Sequence, residues 1–290
     1  MIVRHAHAKL NVFLRILRRR EDGYHDVETL LLPIALHDVV TVEAAAELEV
    51  VVTGERAGEL ADRGGESLVA HAARVWSSAA GVGAPRARIT VDKRIPVAAG
   101  LGGGSADAAA AILALEELAG GRLDDATLLE LAAEVGSDVP PLLLGGPVFA
   151  HGRGDRCVSV HATGTHWAVR PLPFAVAAAD AYAWWDDDPR TGPDPGALVA
   201  ALETGNAELA GDALFDDLQA PVAAHHPEVD ATVAAFLEAG ALGAVMSGSG
   251  PSVVALARDP MHADALCAAV PGSFATSGPP RTMDPPSGVV

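Results

Sequence analysis

Pro96-Val97-Ala98-Ala99-Gly100-Leu101-Gly102-Gly103-Gly104-Ser105 joins two segments of different periodicity. Residues 88–95 before it alternate, with Ile89 and Val91 on one side, as a half-buried strand does. Residues 106–118 after it, opening at Ala106, form an apolar run long enough for a helix. Glycines in such a place add unfolded-state entropy and no side-chain packing. A helix N-terminus ordinarily takes Ser, Thr, Asp or Asn. What glycine offers is access: without Cβ atoms, a ligand can approach successive backbone N–H groups. The helix expected to start near Ser105 adds its positive dipole end, so the loop reads as a phosphate site. Ser105 can offer its hydroxyl to a phosphate oxygen or to Mg2+.

Two common phosphate loops do not fit. A Walker A loop needs a lysine after its last glycine, and none follows here. A dinucleotide fingerprint counted from Gly100 and Gly102 would need glycine at position 105, where Ser105 stands.

The bulk properties exclude other classes. With 290 residues, half of them hydrophobic, the chain can bury one large core or two of ordinary size. A formal charge of −18 is the wrong sign for a nucleic-acid partner or an anionic membrane surface. Cys157 and Cys267 form no CxxC pair, so free thiols are expected rather than a disulfide framework or a zinc site. The basic residues between Arg15 and Arg20 follow the first apolar stretch, unlike those of a signal peptide. No apolar run is long enough to span a bilayer. A cytoplasmic protein is expected, as a monomer or a homodimer. Lys9 and Lys93 are the only lysines among twenty basic residues, and Tyr24 and Tyr182 the only tyrosines.

Along the chain, residues 2–16 and 29–34 read as strands around a turn at 18–23, and 39–43 and 48–53 as further strands. Residues 66–80 have helical spacing in Leu68, Val69, Ala72, Val75 and Trp76. Residues 123–135 predict another helix, followed by a glycine-punctuated β region over 142–160. The run 186–196 reads as a surface loop. Helices are expected over 197–209, 214–224, 229–239 and 261–270, with a glycine turn and strand over 244–257 and a loose tail from Ser277. Strands followed by helices in each half predict an α+β chain of two domains, 1–150 and 151–290.

The glycine run resembles the second signature of the GHMP kinases, the superfamily of galactokinase, homoserine kinase, mevalonate kinase and phosphomevalonate kinase. AKLNVFL, from Ala8 to Leu14, resembles its first signature, and MSGSGPSVVAL, from Met246 to Leu256, its third. DGYH, from Asp22 to His25, and GSDVP, from Gly136 to Pro140, resemble the branch that phosphorylates a cytidine-diphosphate-linked methylerythritol. The motifs run in the family's order from about residue 4 to residue 257.

The resemblance implies a two-domain α+β fold with ATP and the small-molecule substrate in the cleft between domains, and Mg2+ with the nucleotide. It implies transfer of the γ-phosphoryl group to the 2-hydroxyl of the methylerythritol unit, with Asp138 as general base and Lys9 as its partner. A carboxylate within reach of the hydroxyl proton makes a poor nucleophile effective, and a lysine beside it offsets charge on the transferring group. Two aromatic side chains sandwich the cytosine in that branch. Tyr24 matches one and Tyr182 the other, with Trp184 and Trp185 as rivals, and His25 is the expected partner of the base edge. Lys93 and the loop from Pro96 to Ala106 match the nucleotide site, and Asn11 a polar position beside the substrate. Asp107 reads as a residue favouring the helix dipole rather than the metal.

The chain departs from the branch at Ala177–Ala179, where Pro, Thr or Ser is common. It departs again at Pro141, where Phe is frequent. Phe215, Asp216, Asp217, Leu218 and Gln219 stand where an Asn-Asp or Asn-Ser pair before Leu-Glu is usual. Other constellations carry less. His5 and His7 share one face of a strand with no further ligand, and read as exposed or satisfied side chains. His225 and His226 precede Pro227 and read as a turn. Ser247 and Ser249 lack the elbow of a serine hydrolase. Two alternatives stay open: another GHMP kinase acting on homoserine, a mevalonate derivative or a sugar, and a non-catalytic nucleotide-binding relative.

Overall fold

The computed structural model describes residues 1–60 and 67–280. Its frame is a hairpin of two long strands, β1 (Ile2–Arg19) and β2 (His25–Ala44), joined by a tight turn. The two expected strands 29–34 and 39–43 are one continuous strand. Three register shifts interrupt the pairing of β1: at Asn11/Phe13 and Ile16/Arg18 β1 carries one extra residue, which swaps the face the next side chain takes, and opposite His7/Lys9 β2 carries two. Next to β2 lies β4 (Ala87–Asp92), with β3 (Glu49–Thr53) parallel to it at the sheet edge. Another branch of the same sheet holds β5 (Val148–Gly152) and β6 (Arg156–Ser159). The smaller sheet contains β7 (Thr165–Arg170), which passes between two later strands. Far along the chain, β8 (Phe215–Asp216) returns to pair with β1. The smaller sheet is completed by β9 (Gly243–Met246), β10 (Val253–Ala257) and β11 (Phe274–Gly278), in the order β11-β7-β10-β9.

One face of the large sheet is covered by α1 (Leu68–Ala79), α2 (Gly103–Leu118), α3 (Asp125–Val135) and α4 (Val139–Leu144). Val40, Val42, Ile89 and Val91 meet the alanine-rich side of α2 there. Its short side chains let the helix lie close to the strands. The opposite side of the hairpin (Leu10, Val12, Leu30, Leu32, Ile34) packs on the inner face of the smaller sheet (Trp167, Val169, Val254, Leu256). Ile95, Ala99 and Leu101 belong to this same core, so the glycine loop is anchored by apolar side chains on either side of its glycines. Burial of the Ile95 or Leu101 side chain is worth about 1.5–3 kcal/mol. The outer face of the smaller sheet carries α5 (Ala178–Asp187), α8 (Gln219–His225), α9 (Glu228–Glu238) and α10 (Pro260–Ala269). Along the chain, α6 (Gly196–Thr204) and α7 (Ala207–Asp212) lie between α5 and α8.

Several expectations change. Residues 142–144, expected as the start of the β region, instead complete a helix over 139–144, whose first turn accommodates Pro140 and Pro141 because the missing N–H is no loss there. The segment 197–209 is two helices, broken at Gly205 and Asn206, and 214–224 is a two-residue strand followed by α8. Asp186 lies within α5, not in the loop that follows. Ser277 lies in β11, while the tail beyond residue 280 and Glu66 are outside the described residues. Residue 150 falls within β5. The change from one sheet to the other comes between β6 and β7, and we propose the division of the chain there. Among the described residues, no helix is long and apolar enough to cross a membrane.

Candidate active site

The glycine loop runs from β4 to α2 across the middle of β1. The Lys9 N–H donates to the Leu101 carbonyl at 3.0 Å, and the Ser252 hydroxyl to the Ala99 carbonyl at 2.5 Å. The loop is thus held by the first and third motifs together. The helix begins at Gly103, with Gly102 as its left-handed cap (φ 70°), earlier than expected, so the glycines themselves supply its free N–H groups. Ala98 takes a positive φ of 58°, alone among the described non-glycine residues. Gly104 has open space where a Cβ would be. The loop, from Pro96 to Ser105, lines a cleft of about 590 Å³ with Lys93, Asp107 and the apolar Val52, Leu68, Val69 and Val91. Ala106 is buried behind it.

Gly100 cannot be replaced. Its φ is +75°, and a Cβ would lie 2.5 Å from the Gly250 carbonyl oxygen, a backbone atom with little freedom to move. Gly100→Ala should cost about 2–4 kcal/mol from left-handed strain and overpacking combined. Thermal unfolding should show a drop of several degrees, together with a raised KM for ATP. An unchanged midpoint would show that the two loops do not meet as described.

Lys93 is buried, with its Nζ 2.5 Å from Asp38 Oδ2 and 2.7 Å from Asp107 Oδ2. The other Asp38 oxygen accepts the N–H groups of Arg94 and Ile95, which turns the chain out of β4 into the loop. Asp107 is therefore a buried hydrogen-bond partner of Lys93, and not a residue exposed to serve the dipole. Two carboxylates share one ammonium here. Burial pushes the Asp107 carboxyl up to about 8, against the pull of Lys93, and Asp38 adds to the rise. Its folded value is raised, so the folded state holds one proton more than the unfolded chain between about pH 4 and 8. Stability from this group is complete below the lower value and lost as pH rises through the upper one, at about 1.4 kcal/mol per unit at most. Asp107→Asn leaves Lys93 paired with Asp38 and should gain on the wild type across that range. Parallel unfolding curves for the two proteins from pH 5 to 8 would contradict this.

Lys9 lies beneath the loop, and a Cβ at Gly102 would be 2.9 Å from its Cγ. Its buried Nζ donates to Asn11 Oδ1 and stands 3.7 Å from Asp138 Oδ2. Asn11 is fixed from both sides: its amide Nδ2 donates to Thr29 Oγ1 at 2.7 Å, and its backbone N–H to Ser247 Oγ at 2.9 Å. Asp138 precedes α4 as its cap residue, yet its side chain makes no capping hydrogen bond and is 47% exposed. That carboxylate is free to accept from a ligand.

A second groove, of about 440 Å³, lies beyond the hairpin turn, between Tyr24, His25, Ser137, Arg153, Tyr182 and Asp186. The His25 ring stacks on Tyr182 at 4.8 Å and meets Trp185 edge-on at 5.7 Å. His25 Nε2 is 2.8 Å from Asp186 Oδ1, which leaves Nδ1 for a ligand. Tyr24 is mostly exposed on the rim, with the Arg153 guanidinium 5.0 Å from its ring centre. Trp184 stacks instead on His225, outside this groove, and Trp185 is buried with its indole N–H on the Arg190 carbonyl. Asp186, read from sequence as solvated, bridges His25 and Arg19.

The N-terminal model of the GHMP kinases matches residues 67–146, and their C-terminal model residues 198–276. A protein of Symbiobacterium thermophilum named 4-diphosphocytidyl-2-C-methyl-D-erythritol kinase is 40% identical over 87% of this chain and 89% of its own. A crystal structure of a 4-(cytidine 5'-diphospho)-2C-methyl-D-erythritol kinase superposes with a TM-score of 0.79 at 34% identity, covering 96% of this chain and all of the other. The chain belongs to the 4-diphosphocytidyl-2-C-methyl-D-erythritol kinase family of GHMP kinases. A homoserine kinase from Cytophaga hutchinsonii shares the fold (TM-score 0.70, covering 98% of this chain and 95% of its own) at 22% identity.

In this GHMP kinase, the structure adds residues that sequence reasoning passed over. Asp38 and Thr29 anchor Lys93 and Asn11, and Arg153 enters the aromatic groove. Asp38 had one available signal: an acid within the β-branched run after His37 is out of place unless it is paired. His5 and His7 gather with His37, at 4.5 Å and 5.1 Å between ring centres, and His7 Nδ1 is bonded to the Ile34 carbonyl. Among the described residues, no group of three His, Cys, Asp or Glu could hold a metal. Both cysteines are free, and burial pushes the Cys157 thiol up to about 12.

Proposed function

We infer that the chain transfers the γ-phosphoryl group of ATP to the 2-hydroxyl of 4-diphosphocytidyl-2-C-methyl-D-erythritol, a step in non-mevalonate isoprenoid precursor synthesis. The observation that carries this is the position of the Lys9–Asp138 pair. It stands between a glycine-lined cleft and an aromatic groove, where two different ligands would meet. The backbone N–H groups of residues 102–105 hold the phosphates. The Asp138 carboxylate accepts the hydroxyl proton as the new O–P bond forms and the bond to the ADP oxygen breaks. Lys9 keeps the carboxylate oriented and offsets charge on the moving phosphoryl group. Tyr24 and Tyr182 offer flat faces to the cytosine, and His25 Nδ1 its edge contact.

Mg2+ fits this arrangement as a companion of the nucleotide. Such an ion is usually held by one or two protein oxygens and the phosphates, rather than by a protein cage. Ser105, half-buried in the first turn of α2 and lining the cleft, would supply one oxygen. The ion would neutralise phosphate charge. A cytoplasmic location accords with free thiols and a net acidic chain.

Incubation with ATP, Mg2+ and a panel of alcohols, following ADP release, tests the reading. Turnover is expected with the cytidylylated methylerythritol alone. Activity on homoserine or mevalonate, with none on the cytidylyl compound, would overturn it.

A further inference from the structure

Asp216 is a buried acid that the mechanism above does not use. It is the second residue of β8, beside Leu14 of β1, and is 6% exposed. Its Oδ1 accepts the Leu218 N–H at 2.9 Å, and the carboxyl faces the backbone N–H of Gly248 in the third glycine loop. Its Oδ2 is enclosed and has no hydrogen-bond partner. Three charged or titratable side chains face it: Lys9 from β1, Tyr182 from α5 and its own neighbour Asp217. None makes an ion pair with it. Lys9 is committed to Asn11 and Asp138, and Asp217 is occupied by the N–H groups of Ile16 and Gly192.

A carboxylate in such a place would be poorly stabilised. One oxygen would carry charge in a dry environment with nothing to receive it, a cost far above that of a neutral acid. The free oxygen is also where a proton would reside, since the other accepts the Leu218 N–H. Burial pushes this carboxyl well above the usual range, against the pull of the two backbone donors and Lys9.

The charge balance of the site points the same way. Lys9 and Asp138 cancel. A second carboxylate facing Lys9 would leave a net negative charge where the γ-phosphate of ATP must come. A neutral acid keeps the structural link without competing for the ammonium. That link is short: Gly248 lies against Asn11, with its Cβ position 2.7 Å from Oδ1 and 3.6 Å from Lys9 Nζ.

We propose that Asp216 works as a neutral carboxylic acid that ties β8 to the third glycine loop and leaves the charge of Lys9 to Asp138 and the phosphoryl group. It is a positioning residue, and the proposal rests on the phosphoryl-transfer reading of Lys9 and Asp138. Above its own titration Asp216 gives its proton to solvent. The carboxylate then draws on Lys9, and on the alkaline side of that titration kcat should fall by up to tenfold per pH unit, down to the activity of the ionised form.

The test compares Asp216→Asn and Asp216→Ala with the wild type, in turnover across pH and in the infrared carbonyl region. Asp216→Ala strands the Leu218 N–H, removes the acceptor facing Gly248 and should lose about 10- to 100-fold in kcat. Asp216→Asn keeps the acceptor and the neutral charge, and should recover most of that loss while removing the alkaline limb. In the wild-type-minus-Asp216→Asn difference spectrum at neutral pH, a protonated-carboxyl stretch should stand out beyond the one that Asp107 contributes to both proteins. This spectral readout needs no turnover, so it stands or falls apart from the reaction assigned to the site. Absence of that band would overturn the proposal. So would an Asp216→Asn enzyme that folds with the wild-type melting midpoint but is as slow as Asp216→Ala. An alkaline limb unchanged in Asp216→Asn would assign the titration to another group and equally refute it.

Discussion

Asp138→Asn should lower kcat by about 10²-fold or more while ATP binds as before, because the amide cannot accept the hydroxyl proton. The geometry makes this substitution informative. The Asp138 side chain makes no capping hydrogen bond to α4, so an amide of the same shape should leave the helix and the melting midpoint intact. It is also absent from the walls of the nucleotide cleft, so ATP affinity has no reason to change. The loss should therefore appear in kcat and not in nucleotide binding. Single-turnover rates with ATP bound, beside a direct binding titration, separate the two. Near-full activity in Asp138→Asn would remove it from the role of base.

Lys9→Met should be at least as severe, with kcat reduced by about 10²- to 10³-fold, the range for removing a charge aimed at the transition state. Methionine fills the same channel beneath Gly102, so the fold should tolerate it better than alanine. The more revealing variant is Lys9→Arg, which keeps the charge. The guanidinium is planar and bulkier, and the Gly102 backbone lies directly on the lysine stem. With Gly248 closing the other side, a fork of nitrogens has no room to reach Asp138. Lys9→Arg should be nearly as slow as Lys9→Met. Substantial activity in the arginine enzyme would mean that charge alone suffices and the tight fit is incidental.

Much of the site was legible because its signals are local. Gly100 to Ser105 sit in one loop between a strand and a helix, and Tyr24 and His25 at one turn, so adjacent letters carry the chemistry. Lys9 and Asp138 were legible through motif resemblance alone, since nothing in the spacing of residues 9 and 138 brings them together. What stayed hidden depends on distant partners. Asp107 read as a dipole residue because Lys93 and Asp38 come from other elements. Asp186 read as solvated because His25, its partner, lies on another strand. The fold shows the same division. Helices with regular apolar spacing, such as α1, α3 and α9, were close to expectation. The hairpin strands were cut short because bulges at three places interrupt alternation. Pro140 and Pro141 disguised α4, although prolines at a helix start are compatible with it.

Ser137 lines the aromatic groove, while Asp138, the next residue, faces Lys9. Two consecutive α-carbons are about 3.8 Å apart, so on the proposed reading of the site the two ends of the acceptor would be gauged from a single peptide unit. The arrangement would then act as a caliper with one jaw on the flat ring and the other on the hydroxyl. A compound with the right base and the right alcohol, but with one phosphate fewer between them, should be gripped at either end and never at both. Selectivity for the acceptor would then reside in a length, fixed by the backbone, as much as in any contact with the base.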